Sequence, residues 1–221
     1  SPFILKSQVW LIYRDSYFSK EIRVSIYQPN LTLEDKWSQY GIIKTHNMME
    51  KAILNSNERE LIVFPETAMI LSEKDNKSFL DAINYKISDK SLTFVTGIVE
   101  KEGENRIKNR LITLGNEKNY YDKVKLVPFG EFIPLEAYLG SFLDIIGLNL
   151  TNTVAGNAFG LINTGDYLIS PSICYEIAFD NFIRRSARKS NLLLTVSNDT
   201  WFGESFGPIQ HLEIAQNRAL E

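Results

Sequence analysis

Tyr167-Leu168-Ile169-Ser170-Pro171-Ser172-Ile173-Cys174-Tyr175-Glu176 decides the reading of this chain. After the turn Asn163-Thr164-Gly165-Asp166, Tyr167 to Ile173 reads as a strand that hands over at Cys174 to a helix predicted over Phe179 to Lys189. A strand ending in an ionisable group recurs twice upstream. Leu61 to Phe64 is a short apolar run, a buried strand closed by Pro65, and it delivers Glu66 into a loop. Tyr120-Tyr121 leads likewise into Asp122-Lys123. In open α/β sheets ligands bind beyond the carboxyl ends of the strands, so Glu66, Lys123 and Cys174 are candidates for one pocket.

Working outward, Ile22 to Tyr27 is a β-branched strand ended by Gln28-Pro29-Asn30. Thr32 is a candidate N-cap for apolar residues at helical spacing from Leu33 to Asn55, and a second helix is predicted over Asn76 to Ile87. Leu92 to Val99 and Arg106 to Leu114 form a hairpin through Glu102-Gly103-Glu104-Asn105, and Gly115-Asn116 turns the chain back toward Tyr120. Val127 to Pro134 is a loop, and Leu135 to Leu150 is apolar without either period. Leu192 to Val196 is a last strand, and Gly207-Pro208 opens a helix through Leu212, Ala215 and Ala219. Antiparallel pairs thus mix with helical crossovers, an α/β pattern, and no repeat, low-complexity tract or flexible linker divides it.

Composition bounds the function. The 221 residues (25.3 kDa) are 44% hydrophobic and 23% charged, enough for one core without disulfide or metal staples. Lys and Arg total 24 against 27 Asp and Glu, a net charge of −3 that offers no footprint for nucleic acid. The basic cluster Arg184, Arg185, Arg188 and Lys189 falls where a helix ends, where cations suit the helix dipole. A single cysteine excludes an internal disulfide and a multi-cysteine zinc site. No apolar run reaches the ~18 residues of a membrane span; Phe3 to Tyr13 is interrupted by Lys6 and Phe142 to Leu150 by Asp144. Motifs of serine hydrolases, phosphate loops, dinucleotide folds and zinc proteases are missing, and His46, His211 and Cys174 lack metal-ligand spacing. No cofactor and no metal is expected.

Cys174 at a strand-to-helix handover is a candidate nucleophile, with a pKa expected to be lowered by the helix N-terminus and by Lys123. Both histidines fall within predicted helices, away from strand ends, so the base would be a carboxylate, and Glu66, desolvated after a buried strand, fits. Lys123 can also donate to a developing oxyanion. Each residue has a plainer account: an inert buried thiol, a first-turn acid of a helix, and an exposed lysine.

Longer strings carry a resemblance. Glu66, Lys123 and Cys174 match, in order, the Glu-Lys-Cys triad of the nitrilase superfamily. Val63-Phe-Pro-Glu66, Thr96-Gly-Ile98, Leu126-Val-Pro-Phe-Gly-Glu-Phe-Ile-Pro134, Ile173-Cys-Tyr-Glu-Ile177, Ser197-Asn-Asp-Thr-Trp-Phe-Gly203, Gly207-Pro208, His211 and Arg218-Ala-Leu-Glu221 resemble the apolipoprotein N-acyltransferase family within it. The resemblance implies an α-β-β-α sandwich with mixed sheets, incomplete at its C-terminal end. Residues 22–221 would be the catalytic domain, and residues 1–21 the link from a missing membrane segment. That segment would anchor the domain on the periplasmic face of the bacterial inner membrane.

The implied chemistry moves an acyl chain from a phospholipid donor, through a thioester on Cys174, to the α-amine of a diacylated apolipoprotein. Glu66 would be the base and Lys123 the oxyanion donor. Glu131 and Glu176 match supporting positions, and Trp37, Asn109 and Tyr175 match positions near the substrate. On structural grounds alone Glu131 is a loop anchor, Trp37 and Tyr175 core aromatics, and Asn109 a polar strand residue. Leu135 to Leu150 would be a lipid-contacting arm or a buried helix. The isolated 221 residues are expected to be inactive or nearly so. The alternatives are a soluble carbon–nitrogen hydrolase (amidase) on the same triad and a silent nitrilase-like binding module.

Overall fold

The computed structural model describes residues 22–103, 106–115, 117–128, 130–132, 153–157 and 160–221. Among these, one sheet holds β1 (Val24–Ile26), β2 (Leu61–Val63), β3 (Thr93–Lys101), β4 (Ile107–Gly115) and β5 (Asn119–Asp122) side by side in chain order. β1, β2 and β3 run parallel; β4 and β5 follow antiparallel. The second sheet holds β6 (Ile162–Asn163), β7 (Leu168–Ile173) and β8 (Leu192–Val196), with β6 antiparallel and β8 parallel to the central β7. The helices are α1 (Leu33–Lys36), α2 (Gln39–Asn55), α3 (Lys77–Ser88), α4 (Asp180–Ala187) and α5 (Gly207–Leu220), with 3₁₀ turns at Cys174–Ala178 and Asp199–Phe202.

The period of two along β2, β3 and β4 sends alternate side chains into two cores. Ile62, Phe94, Ile98, Ile112 and Leu114 pack against Met49, Ala52 and Ile53 of α2 and Leu80, Ile83 and Ile87 of α3. Leu61, Val63, Val95, Leu111 and Tyr121 face the other way, onto Ile169, Ile173 and Val196 of the second sheet. Burying each such aliphatic or aromatic side chain contributes about 1.5–3 kcal/mol, so the sheet is held on both faces. On the outer side of β7, Ser170 Oγ lies 2.7 Å from Ser186 Oγ of α4, which places that helix outside the second sheet. The layers are the expected α-β-β-α sandwich with mixed sheets.

Three sequence expectations change in detail. The helical run from Leu33 to Asn55 is broken at Trp37-Ser38, because Thr32 and Ser38 both cap helices. The Thr32 hydroxyl accepts from Asp35 N at 3.1 Å and that of Ser38 from Gly41 N at 3.1 Å, each satisfying an end that continuous helix would not have. The strand from Ile22 to Tyr27 narrows to Val24–Ile26. The helix after Cys174 is preceded by a 3₁₀ turn that periodicity does not distinguish. The stretch Leu135–Leu150 and residues 1–21 lie outside the described residues.

Candidate active site

Glu66 leaves β2 through Pro65 into a loop that lies on β3. Gly97 N donates to Pro65 O at 3.1 Å, and Met69 N to Gly97 O at 3.0 Å. This approach requires glycine at 97: a Cβ there would sit 2.4 Å from Thr67 N and 2.6 Å from Pro65 O. The carboxylate so placed is 7% exposed, accepting from Asn109 Nδ2 of β4 at 2.6 Å and from Asn198 N, beyond the end of β8, at 2.8 Å. Burial pushes its pKa up, against the pull of Lys123 and of these two hydrogen bonds.

Lys123 follows β5 and is 1% exposed, so its plainer account as an exposed lysine fails. Its Nζ lies 2.8 Å from Glu131 Oε1 and 3.8 Å from Glu66 Oε1. Burial works against the ammonium, but the charges of Glu66 and Glu131 outweigh it and hold the pKa above the ordinary lysine value. Glu131 is also the loop anchor, since its Oε2 accepts from Val127 N at 2.9 Å.

Cys174 sits at the turn out of β7 with φ +54°, a left-handed backbone that costs an L-residue about 1–2 kcal/mol unless its surroundings impose it. Glu176, fully buried, is one part of that imposition. Its carboxylate accepts from Ile173 N (2.8 Å), Val124 N (2.7 Å), Lys125 N (2.8 Å) and the Tyr121 hydroxyl (2.9 Å). One side chain therefore ties the segment beside Lys123 to the segment carrying Cys174. The expected lowering of the thiol pKa is reversed. Burial, and then the charge of Glu66, push it up to about 11, outweighing Lys123 and the hydrogen bond from Ser197. A desolvated thiolate beside a carboxylate is penalised more than one neighbouring ammonium repays.

The three groups open on one cavity of about 300 Å³. Asn109 and Glu131 line it too, within a largely apolar wall that includes Trp37, Val99, Ile107, Trp201 and Phe202. Asn109 Oδ1 is buried there without a partner among the described residues. Trp37 is 52% exposed at this wall, and Tyr175, 41% exposed, lies outside it, so neither is a core aromatic. A second cavity, of about 260 Å³, meets the other side of Glu66 and is lined by Lys36, Ser197 and Asn198. Burial there brings the Lys36 pKa down to about 8, partly offset by Glu66.

Sequence reading misses the fourth strand end. Ser197-Asn198-Asp199 follows β8 just as Glu66, Lys123 and Cys174 follow their strands, but Asn198 acts through its backbone N–H, which no side-chain pattern betrays. It also misses His211, set aside as helical. The ring projects from α5 to Cys174 O, with Nε2 at 3.1 Å. No group of three or more His, Cys, Asp or Glu among the described residues is placed to hold a metal.

Glu66, Lys123 and the half-buried Cys174 thus meet at strand ends of a two-sheet sandwich, and the family match and relatives make the chain an enzyme of the carbon–nitrogen hydrolase and acyltransferase kind. The chain belongs to the carbon-nitrogen hydrolase family, which residues 23–221 match. It is 36% identical over 205 residues to an apolipoprotein N-acyltransferase of Pseudomonas aeruginosa, covering 90% of this chain and 40% of that protein. It is also 36% identical over 214 residues to one of Wigglesworthia glossinidia brevipalpis, covering 91% and 42%. The chain thus spans about 40% of the length of the curated relatives it matches. Among solved structures, a CN-hydrolase superfamily protein of Xanthomonas campestris aligns with TM-score 0.62 at 16% identity, over 90% of this chain and 72% of that one. An amidase from Nesterenkonia sp. aligns with TM-score 0.53 at 16% identity, over 80% and 64%. These structural likenesses establish the fold.

Proposed function

We propose that this chain is the catalytic part of an apolipoprotein N-acyltransferase, moving an acyl chain from a phospholipid to the α-amine of a diacylglyceryl-cysteine at a lipoprotein N-terminus. The observation that carries the reading is the meeting of Glu66, Lys123 and Cys174 on one apolar cavity. The 36% identity to apolipoprotein N-acyltransferase over 90% of the chain selects the substrate class.

With its pKa near 11, the Cys174 thiol is only about 10⁻⁴ thiolate at neutral pH, so the attack needs a base to take its proton. Glu66, whose pKa burial raises above the ordinary glutamate value, takes it as sulfur adds to the ester carbonyl. The oxyanion is met by the Lys123 ammonium, which Glu131 holds in place. The tetrahedral adduct collapses by breaking the C–O bond, and the departing lysophospholipid oxygen takes the proton back from Glu66. The lipoprotein amine then attacks the thioester, giving a proton to Glu66 as the amide forms, and the thiolate that leaves recovers it. Asn109 orients Glu66, Glu176 fixes the Lys123 and Cys174 turns, and Trp37 with the other apolar wall residues flanks the acyl chain and excludes water. Tyr175 acts beside the nucleophile rather than on the cavity wall.

On this reading residues 22–221 are the domain, residues 1–21 lead from a membrane segment, and the domain faces the periplasm at the inner membrane. No helix among the described residues is long and apolar enough to cross a membrane. The test is to incubate the full-length protein with phospholipid and a diacylated lipopeptide. Acyl transfer, with an acyl adduct on Cys174 that Cys174→Ala abolishes, is the expected result. Amide hydrolysis of small substrates without transfer would favour the amidase and overturn the proposal.

A further inference from the structure

The left-handed Cys174 is held from below by a group that the reaction does not use. His211 is 5% exposed, on the second turn of α5, packed between the rings of Tyr175 (centroids 6.2 Å apart) and Phe202 (6.4 Å). Its Nε2 lies 3.1 Å from Cys174 O. Its Nδ1 lies 2.9 Å from Asp199 Oδ1 and 3.1 Å from Oδ2, and 3.4 Å from Ser197 Oγ. A carbonyl oxygen only accepts, so Nε2 is the donor to Cys174. Asp199 orients the opposite edge of the ring and takes a hydrogen bond from the Ser197 hydroxyl.

The same short segment reaches both members of the reacting pair. Asn198 N–H bonds Glu66 Oε2 at 2.8 Å, and Asp199 lies against the ring that bonds the Cys174 carbonyl. Turning Cys174 out of its left-handed conformation rotates the peptide plane whose oxygen His211 grips. The imidazole therefore resists the relaxation that backbone strain at φ +54° favours. It touches neither the thiol nor Glu66 in these contacts, so it acts through the backbone and not on the substrate.

We propose that His211, oriented by Asp199, is a positioning residue that locks the nucleophile's strained turn and couples it to the segment holding Glu66. This rests on Cys174 being the nucleophile of the proposed acyl transfer.

The experiment measures the rate of Cys174 acylation by mass spectrometry, acyl transfer to a diacylated lipopeptide, and the melting temperature, in the full-length enzyme with phospholipid. Four variants are compared: His211→Ala, His211→Gln, Asp199→Asn and Cys174→Ala. A turn misplaced by about 1 Å costs about 10²-fold, so His211→Ala is expected to slow acylation on that scale while remaining folded at the assay temperature. His211→Gln retains a donor toward the Cys174 carbonyl and is expected to recover most of the rate with the pH profile unchanged. Asp199→Asn, nearly isosteric, is expected to fall in between.

Wild-type rates in His211→Ala would overturn the proposal. If that variant does not fold, wild-type rates in Asp199→Asn overturn it instead. His211→Gln as slow as His211→Ala, with a limb of the pH profile lost, would overturn it in favour of direct proton transfer. Rate losses that merely follow the melting temperature, equal in both His211 variants, would overturn it in favour of a packing role. Cys174→Ala separates the two levels. Acyl transfer surviving in it refutes the proposed function, whereas its loss beside an unaffected His211→Ala refutes only the positioning role.

Discussion

Gly97→Ala tests whether the close approach of β3 to the loop after β2 is what sets Glu66 in place. The added methyl would lie 2.4 Å from Thr67 N, 2.6 Å from Pro65 O and 2.8 Å from Glu66 C. All three are backbone atoms, so no side chain can swing aside. The shortest contact falls about 1 Å below the 3.4 Å of ordinary contact, and the loop must retreat by about that much. The retreat strains the Gly97 N to Pro65 O and Met69 N to Gly97 O hydrogen bonds and moves the Glu66 carboxylate off Asn109 and Asn198. Overpacking of this kind costs about 1–3 kcal/mol. In a chain of this size that lowers the melting temperature by about 2–4 °C per kcal/mol. A base misplaced by about 1 Å costs about 10²-fold in rate.

Thermal unfolding, and Cys174 acylation well below the transition, read the two effects separately. The expected variant is folded, modestly destabilised and about 10²-fold slower. A variant that melts early yet acylates at the wild-type rate would refute the link between Gly97 and the base. Unchanged melting and rate together would refute the steric argument itself.

Further outcomes follow from the charges around the thiol. Iodoacetamide alkylation of Cys174 is expected to titrate near 11, and Glu66→Gln is expected to move the midpoint down, because removing the carboxylate's charge favours thiolate. Turnover in the same variant falls by about 10²–10⁴-fold as the base is lost; an unmoved midpoint would show that Glu66 does not face the thiol. The pH–rate profile of acylation is expected to rise through a value above the ordinary glutamate range, since burial delays the loss of the Glu66 proton. In Lys123→Met that limb moves further up, because the ammonium is the first force opposing burial, and losing one partner of a buried ion pair costs about 3–5 kcal/mol by denaturant unfolding. Glu176→Gln turns an NH₂ toward at least one backbone N–H that now donates to a carboxylate, and is expected to cost about 1–3 kcal/mol; an unchanged unfolding midpoint would discount the tie between the two turns.

The mixed α/β pattern and the three strand-end side chains were legible because their signals are local, whereas the α-β-β-α layering was implied by the family resemblance. A strand-forming run that ends in an ionisable group can be seen in ten residues, and Leu61 to Glu66 and Tyr167 to Glu176 are both of that kind. What was not legible depends on contacts across the fold. The Cys174 pKa goes up because of burial and of Glu66, 108 positions away, whereas the sequence displays only the strand-to-helix handover that lowers a thiol's pKa. His211 falls within a predicted helix and away from the strand ends, so its sequence position does not mark it as reaching Cys174. Its use appears only when α5 packs against the turn after β7. The helix break at Trp37-Ser38 is signalled by a second capping hydroxyl, that of Ser38, but apolar periodicity runs straight across it.

Under the proposed acyl transfer, the raised thiol pKa bears on how transfer and hydrolysis part company. A thiol that is not thiolate at rest makes each acylation depend on Glu66 being deprotonated beside it, and the alcohol that departs as the thioester forms takes the proton away and leaves Glu66 charged. Either the lipoprotein amine or water can then be the next nucleophile, and the triad alone does not choose. The choice falls to the cavity. Val99, Ile107, Trp201 and Phe202 give water few partners at the thioester. An amine tethered by its own acyl chains can be delivered to the carbonyl by apolar burial, and water cannot. The half-exposed Trp37 and the exposed Trp201 at the cavity wall are where such chains would have to pass.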